Sequence, residues 1–337
     1  MAKIGVVGGG ACGTAIAAHA TRLGHETCLW AVEPEVVEDV TLRHRNSIFL
    51  PDVELPAALR ASSDPAEVVG RADLVVLVPP SKHVRSVSTL MAPHVPRGAL
   101  VAVAAKGIEE SSLELLSTVL GETMPAVGPE RLAFVSGPTF AREVASRLPA
   151  DIVAASVDAV AAHRVQPLLH APHFRVYASA DPIGVQVGGA IKNVIAVATG
   201  ACDGLGLGNN ARAALITRGL AEMTRLGVAL KANPLTFLGL AGVGDLVLTA
   251  TGDLSRNRTL GKELAAGADP ATYLASKRSV AEGYFTSAAA FALAQKRGVD
   301  MPITEQVYRV LHERRPLAEA MTTLMERAHK DELAGIG

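Results

Sequence analysis

The sequence predicts an α/β chain: a doubly wound parallel sheet in the N-terminal part, followed by an all-helical C-terminal domain. Three observations lead there. Short apolar runs alternate with helix-sized segments up to about Pro182, a glycine pattern sits on the first strand–helix junction, and long helical segments dominate afterwards. At 337 residues the chain exceeds one ordinary core, so two domains are expected, 1–182 and 183–337.

Taken in order, "KIGVVGGG" (3–10) reads as a buried strand, "GTAIAAHATRLG" (13–24) as a helix closed by Gly24, and "ETCLWAV" (26–32) as a second strand. "ADLVVLVPP" (72–80), "GALVAVAAKG" (98–107), "RLAFVSGP" (131–138) and "DIVAAS" (151–156) are further apolar runs of strand length. Such runs, separated by helical stretches, are what a parallel sheet covered on both faces requires. Helices are expected over 184–200, 209–230, 286–297 and 302–313, with a polar-faced terminal helix over 318–332. Loops are expected around Gly204–Gly208 and Gly252–Arg258.

Composition narrows the function classes. The chain is 49% hydrophobic and 19% charged with a net charge of −1, which offers no overall field for nucleic acid or an anionic membrane. Aromatic residues at 4% leave little for base stacking. Cys12, Cys28 and Cys202 cannot all pair and show no C-x-x-C spacing, which points to a reducing cytosol and away from a disulfide or zinc framework. "HAPH" (170–173) brings two histidines close without a third ligand, so no metal is expected. Ile4–Thr21 is apolar, but its clustered glycines disfavour a continuous helix; neither a signal peptide nor a membrane span is expected, and the location expected is the cytoplasm.

Gly8, Gly10 and Gly13 form G-x-G-x-x-G between the first strand and the first helix. In that position the first glycine makes a tight turn, the second lets backbone approach a pyrophosphate, and the third packs helix on strand. The helix start then presents free N–H groups to phosphate. A glycine-rich turn without a ligand is the alternative, but the context is that of a Rossmann-type dinucleotide site, with Gly8, Gly10, Ala11, Cys12 and Gly13 lining it. Glu33, just beyond the second strand, is placed to accept from a ribose 2′-OH, or is simply a solvated acid at a helix start. Ala31 and Val32 offer no cation for a 2′-phosphate, although Arg43 and Arg45 follow; NAD is favoured over NADP.

One lysine, Lys192, stands inside the apolar stretch "GVQVGGAIKNVIAVATG" (184–200). Burying an unpaired ammonium is costly, so this lysine either snorkels to water or meets a counter-charge. Gly188 and Gly189 before it permit close packing, read here as packing against the nucleotide domain.

Several unlinked stretches together carry a family resemblance: "GGGACGTAIA", "AKGIE", "SGPTFAREVA", "GGAIKNVIAVATGACDGLGLGNNARAALITRGLAEM", "GVGDLVLT", "SRNRTLG", "VAEGYFT" and "MPITEQVY". From end to end the chain resembles the bacterial NAD(P)-dependent glycerol-3-phosphate dehydrogenases. The resemblance implies reversible reduction of dihydroxyacetone phosphate to sn-glycerol 3-phosphate, feeding glycerophospholipid synthesis, in a homodimer. It also implies roles. Lys192 falls on the proton-transfer lysine with Asn193 beside it, and Lys106 on a lysine touching substrate and cofactor. Asp245 and Thr249 fall on the active-site aspartate and threonine. Arg256 and Asn257 fall on the phosphate-binding pair, with Ser255 adjacent and Arg256 also at the cofactor. Gly137 and Thr139 fall on substrate-contacting positions, and Ala141, Val280 and Glu282 on cofactor-contacting ones. Two departures stand out: Cys12 occupies a position that is usually aromatic, and Val32 one that is often basic.

Reducing a ketone needs a hydride donor, a proton donor and a positive field at the carbonyl oxygen. Lysine serves the last two, because its pKa falls on burial or beside another cation. Lys106 and Lys192 at one site would depress each other, and Asp245 would raise both. Other roles stay open: Lys106 as a surface lysine after a strand, Asp245 as a helix N-cap. Arg256 in a polar turn suits a phosphate. Arg258 competes for that role or makes a surface ion pair, while Arg212 and Arg218 read as structural, with Arg212 a candidate near the cofactor. The competing functions are a 6-phosphogluconate or β-hydroxyacid type of dehydrogenase, and a catalytically silent NAD-binding sensor.

Overall fold

The computed structural model describes residues 1–278 and 280–327. Its backbone clusters into two units: Met1–Ala105 with Leu116–Pro182, and Lys106–Leu115 with Ile183 onward. The expected division at 182 therefore gains an exception, because the short excursion Lys106–Leu115 belongs with the helices. Its Ile108 and Leu115 are bridged to each other and buried in the helical core.

The first unit carries one sheet of β1 (Lys3–Val7), β2 (Glu26–Trp30), β3 (Arg60–Ser62), β4 (Leu74–Leu77), β5 (Leu100–Val103), β6 (Leu132–Ser136), β7 (Ala150–Ala155) and β8 (Phe174–Ser179), in the order β3-β2-β1-β4-β5-β6-β7-β8. Helices α1 (Ala11–Arg22), α2 (Pro34–Arg43), α3 (Pro65–Val69), α4 (Val84–Met91), α5 (Leu116–Thr123), α6 (Ala141–Ala145) and α7 (Val160–Leu169) connect the strands. All neighbours are parallel except β6 and β7, which are antiparallel. The purely parallel expectation is thus corrected at one pair. The link between those two strands carries only the short α6, and antiparallel neighbours need no full crossover helix. The strand order reverses at β1, which lies between β2 and β4; this is the switch point outside which open α/β sheets bind ligands.

The second unit contains α8 (Pro182–Gly204), α9 (Gly208–Ala229), α10 (Asp245–Thr251), α11 (Arg256–Ala265), α12 (Pro270–Ala275), α13 (Glu282–Arg297), α14 (Pro302–His312) and α15 (Leu317–Met325). Of the terminal helix expected over 318–332, residues 328–332 lie outside the described residues. Apolar nearly all round, α8 forms the centre of this unit, as such a helix must. Its length and hydropathy would suffice to cross a membrane, but 94% of its apolar window is buried inside the protein. Ile191, Val194 and Ile195 pack with Met223 and Leu226 of α9, Leu246 of α10 and Leu293 of α13. The expected loop at Gly252–Arg258 is shorter than anticipated: Ser255 caps α11, so Arg256, Asn257 and Arg258 form that helix's first turn.

Candidate active site

The second unit brings four of the candidate residues, Lys106, Lys192, Asp245 and Thr249, into contact. A Cβ on Gly188 would overlap the Ala241 carbonyl, so the missing side chain lets α8 lie directly on the Leu240–Gly244 turn. The close approach expected of Gly188 is therefore to a turn of its own unit. That turn leads into α10, whose first residue is Asp245. Gly244 occupies the cap position, so Asp245 is not an N-cap, and its side chain serves other partners. Lys106 Nζ donates to Asp245 Oδ2 at 2.9 Å, and Lys192 Nζ donates to Oδ1. Thr249, one turn along α10, donates its hydroxyl to Oδ1 at 3.3 Å.

Lys192 does not snorkel. It is 5% exposed and Asp245 is fully buried, whereas Lys106 is half-buried. Burial pulls the Lys192 pKa down to about 7; Asp245 opposes that shift and Lys106 reinforces it. Burial alone would raise the Asp245 carboxyl, but the two ammonium groups outweigh it and hold the pKa below the ordinary value. One carboxylate shared by two amines can discharge one of them only, so the second proton is weakly held. That is the condition for a lysine to give and take a proton near neutral pH.

The neighbouring polar groups form a second chain. Asn193 accepts from Asn257 Nδ2 at 2.8 Å, and Asn257 Oδ1 accepts from the Gly283 N–H at 2.9 Å. Asn257 thereby joins α8, α11 and the start of α13, where Val280 and Glu282 flank the cap residue Ala281. Ser255, expected at the substrate, spends its hydroxyl on capping, accepting from the Arg258 N–H at 3.2 Å. Arg256 lies in a helical first turn, not a polar turn; it is exposed and makes no ion pair among the described residues. Arg258 is itself buried and pairs both ways: inward with Asp203 at 2.7 Å and, as the surface-pair reading expected, with the exposed Asp253 at 2.7 Å. Arg212 pairs with the same Asp203 at 3.1 Å. Asp203 was not flagged from the sequence, since an acid after a long apolar helix carries no signal until its arginines are located.

The remaining candidates lie in the first unit. Gly8 has φ +131, a conformation open mainly to glycine, and a Cβ on Gly13 would overlap the Gly8 carbonyl. Gly10 caps α1 and faces open space; no side chain caps that helix, and its first turn holds no acid. A phosphate needs such an uncapped, unobstructed helix start, so these residues fit a dinucleotide. Ala11 and Cys12, both half-buried, open α1. Glu33 is half-buried at the start of α2 and makes no capping bond, while Val32 is exposed. Arg43 is committed to Glu38 at 2.6 Å. Gly137, at φ +147, follows β6; Thr139 donates to its carbonyl at 3.1 Å, and Ala141 begins α6.

Comparison with known proteins agrees over nearly the whole chain. Residues 3–162 match the N-terminal model of NAD-dependent glycerol-3-phosphate dehydrogenase and residues 181–322 the C-terminal one. The NAD(P)+ glycerol-3-phosphate dehydrogenase of Geobacter metallireducens is 51% identical over 330 residues, 98% of either chain. That of Geobacter sulfurreducens is 49% identical over the same coverage. The solved glycerol-3-phosphate dehydrogenase of Coxiella burnetii superposes with a TM-score of 0.91 at 37% identity, over 97% of this chain and 99% of that one. This chain belongs to the NAD-dependent glycerol-3-phosphate dehydrogenase family.

Proposed function

We propose that the chain reduces dihydroxyacetone phosphate to sn-glycerol 3-phosphate, reversibly, with Lys192 as the group that hands over the proton. The observation that carries this reading is the buried Asp245 holding Lys106 and Lys192 together. A bound nicotinamide cofactor supplies the hydride. Lys192, protonated, donates to the oxygen that becomes the alcohol; in the reverse direction the neutral amine takes that proton back. Lys106 adds positive field at the same oxygen and keeps the Lys192 proton loosely held. Asp245 and Thr249 orient the pair, and Asn193 and Asn257 fix the part of α8 that bears Lys192. Arg256, exposed and uncommitted, receives the substrate phosphate. Gly137 and Thr139 are assigned to the substrate, and Ala141, Val280 and Glu282 to the cofactor, by the resemblance described above.

For the cofactor, Glu33 without a capping duty and Arg43 tied to Glu38 support NAD over NADP. A cytoplasmic homodimer serving phospholipid synthesis completes the reading. The test is loss of NADH or NADPH absorbance with dihydroxyacetone phosphate, using unphosphorylated dihydroxyacetone as control. Turnover restricted to the phosphorylated ketone, and faster with NADH, is expected; equal rates with both ketones would overturn the phosphate assignment. Arg256→Ala is expected to raise the substrate KM about tenfold or more, and an unaltered KM would overturn the phosphate role.

A further inference from the structure

We infer that Asn46, outside the glycine motif, is the positioning residue that aims the motif's backbone at the cofactor's phosphates. The inference rests on the dinucleotide reading above. Asn46 is fully buried in the loop after α2. Its Nδ2 donates to the Gly9 carbonyl at 2.8 Å and to the Thr14 hydroxyl at 2.8 Å. Thr14, on the first turns of α1 and also fully buried, donates to the same carbonyl at 3.3 Å. Asn46 Oδ1 accepts from the Phe49 N–H at 3.0 Å, so the amide cannot turn without losing bonds at both ends.

The consequence follows from peptide geometry. The Gly9 carbonyl and the Gly10 N–H belong to one planar trans unit, so they point in opposite directions. Two buried donors draw the carbonyl inward, and the N–H is thereby turned outward. Gly10 is the residue with open space over its Cα, at the head of α1, and its N–H lies outside the helical ladder. A diglycine flanking this peptide would otherwise let it rotate freely, since glycine has the widest backbone freedom. Asparagine suits the task because its tip offers two donors and an acceptor; aspartate of the same shape would set an anion against a carbonyl.

The test compares wild type with Asn46→Asp and Asn46→Ala by fluorescence titration with NADH and competition with ADP-ribose, followed by steady-state assays. Both variants are expected to weaken NADH and ADP-ribose by about tenfold. The cofactor KM should rise in step while the KM for dihydroxyacetone phosphate at saturating NADH stays put. Thr14→Val keeps the shape and removes one donor to the Gly9 carbonyl, so it tests the idea if the Asn46 variants do not fold; about threefold weakening is expected. Unchanged NADH affinity in a folded variant, or equal rises in both KM values, would overturn the inference. A wild type that fails to bind NADH overturns the dinucleotide reading and the inference together. One that binds NADH yet leaves dihydroxyacetone phosphate unreduced overturns only the substrate reading, and the titration still decides the role of Asn46.

Discussion

The role proposed for Lys192 rests on an imbalance of charge: two amines share one buried carboxylate. With its pKa drawn down to about 7 by burial, and by Lys106 against the pull of Asp245, it changes protonation state within the working range. The two directions of the reaction then have opposite pH limbs. Ketone reduction needs the protonated amine, so its kcat should fall as pH rises through about 7; alcohol oxidation needs the neutral amine and should fall as pH drops through the same value. Parallel limbs in the two directions would contradict the assignment. The lysine was conspicuous in the sequence because nothing else in its stretch is charged. Asp245 was not, because a contact across 53 positions has no local signature, and only the family resemblance paired the two.

At the level of elements, the site depends on α8 lying flush on the turn before α10. Gly188→Ala would place a methyl group on the Ala241 carbonyl, and overpacking of that kind costs about 1–3 kcal/mol. The expected outcome is a lower melting temperature together with a reduced kcat, as Asp245 is pushed off Lys192; an unaltered kcat would show that the contact does not set the site. The strands read correctly from sequence all lie inside the sheet, and β4 and β5 at its centre are continuously apolar and buried throughout. The two that went unread, β3 and β8, are the sheet's edges, and β8 alternates buried and exposed residues. Antiparallel pairing of β7 could not be seen either, since direction is set by the partner and the link, not by the strand's own residues. The start of α11 was hidden because "TGDLSRNR" reads as a polar loop until Ser255 is seen to cap it.

For the whole molecule, two units with separate cores suit a chain of this length; they part after Pro182, with Lys106–Leu115 grouped with the helices. The excursion Lys106–Leu115 was illegible, because its few apolar residues show no periodicity and find their core elsewhere in the sequence. Stability carries its own pH signature through Glu222 of α9, fully buried, which accepts from the Ile303 and Thr304 N–H groups and the Thr304 hydroxyl at the head of α14. Burial, stronger than those donors, pushes its carboxyl up from 4.5 to about 7. Because the folded value exceeds the unfolded one, the stabilisation is fully present below about 4.5 and is lost as pH rises through about 7. Calorimetry should therefore show the melting temperature falling more steeply between mildly acidic and mildly basic pH in wild type than in Glu222→Gln. Equal slopes would contradict it. The most direct test of the whole account is the turnover of Lys192→Ala with NADH and dihydroxyacetone phosphate, measured beside NADH binding. A loss of kcat of about 10²–10⁴-fold with NADH affinity intact is the predicted result. Turnover close to wild type in the folded, NADH-binding variant would contradict it.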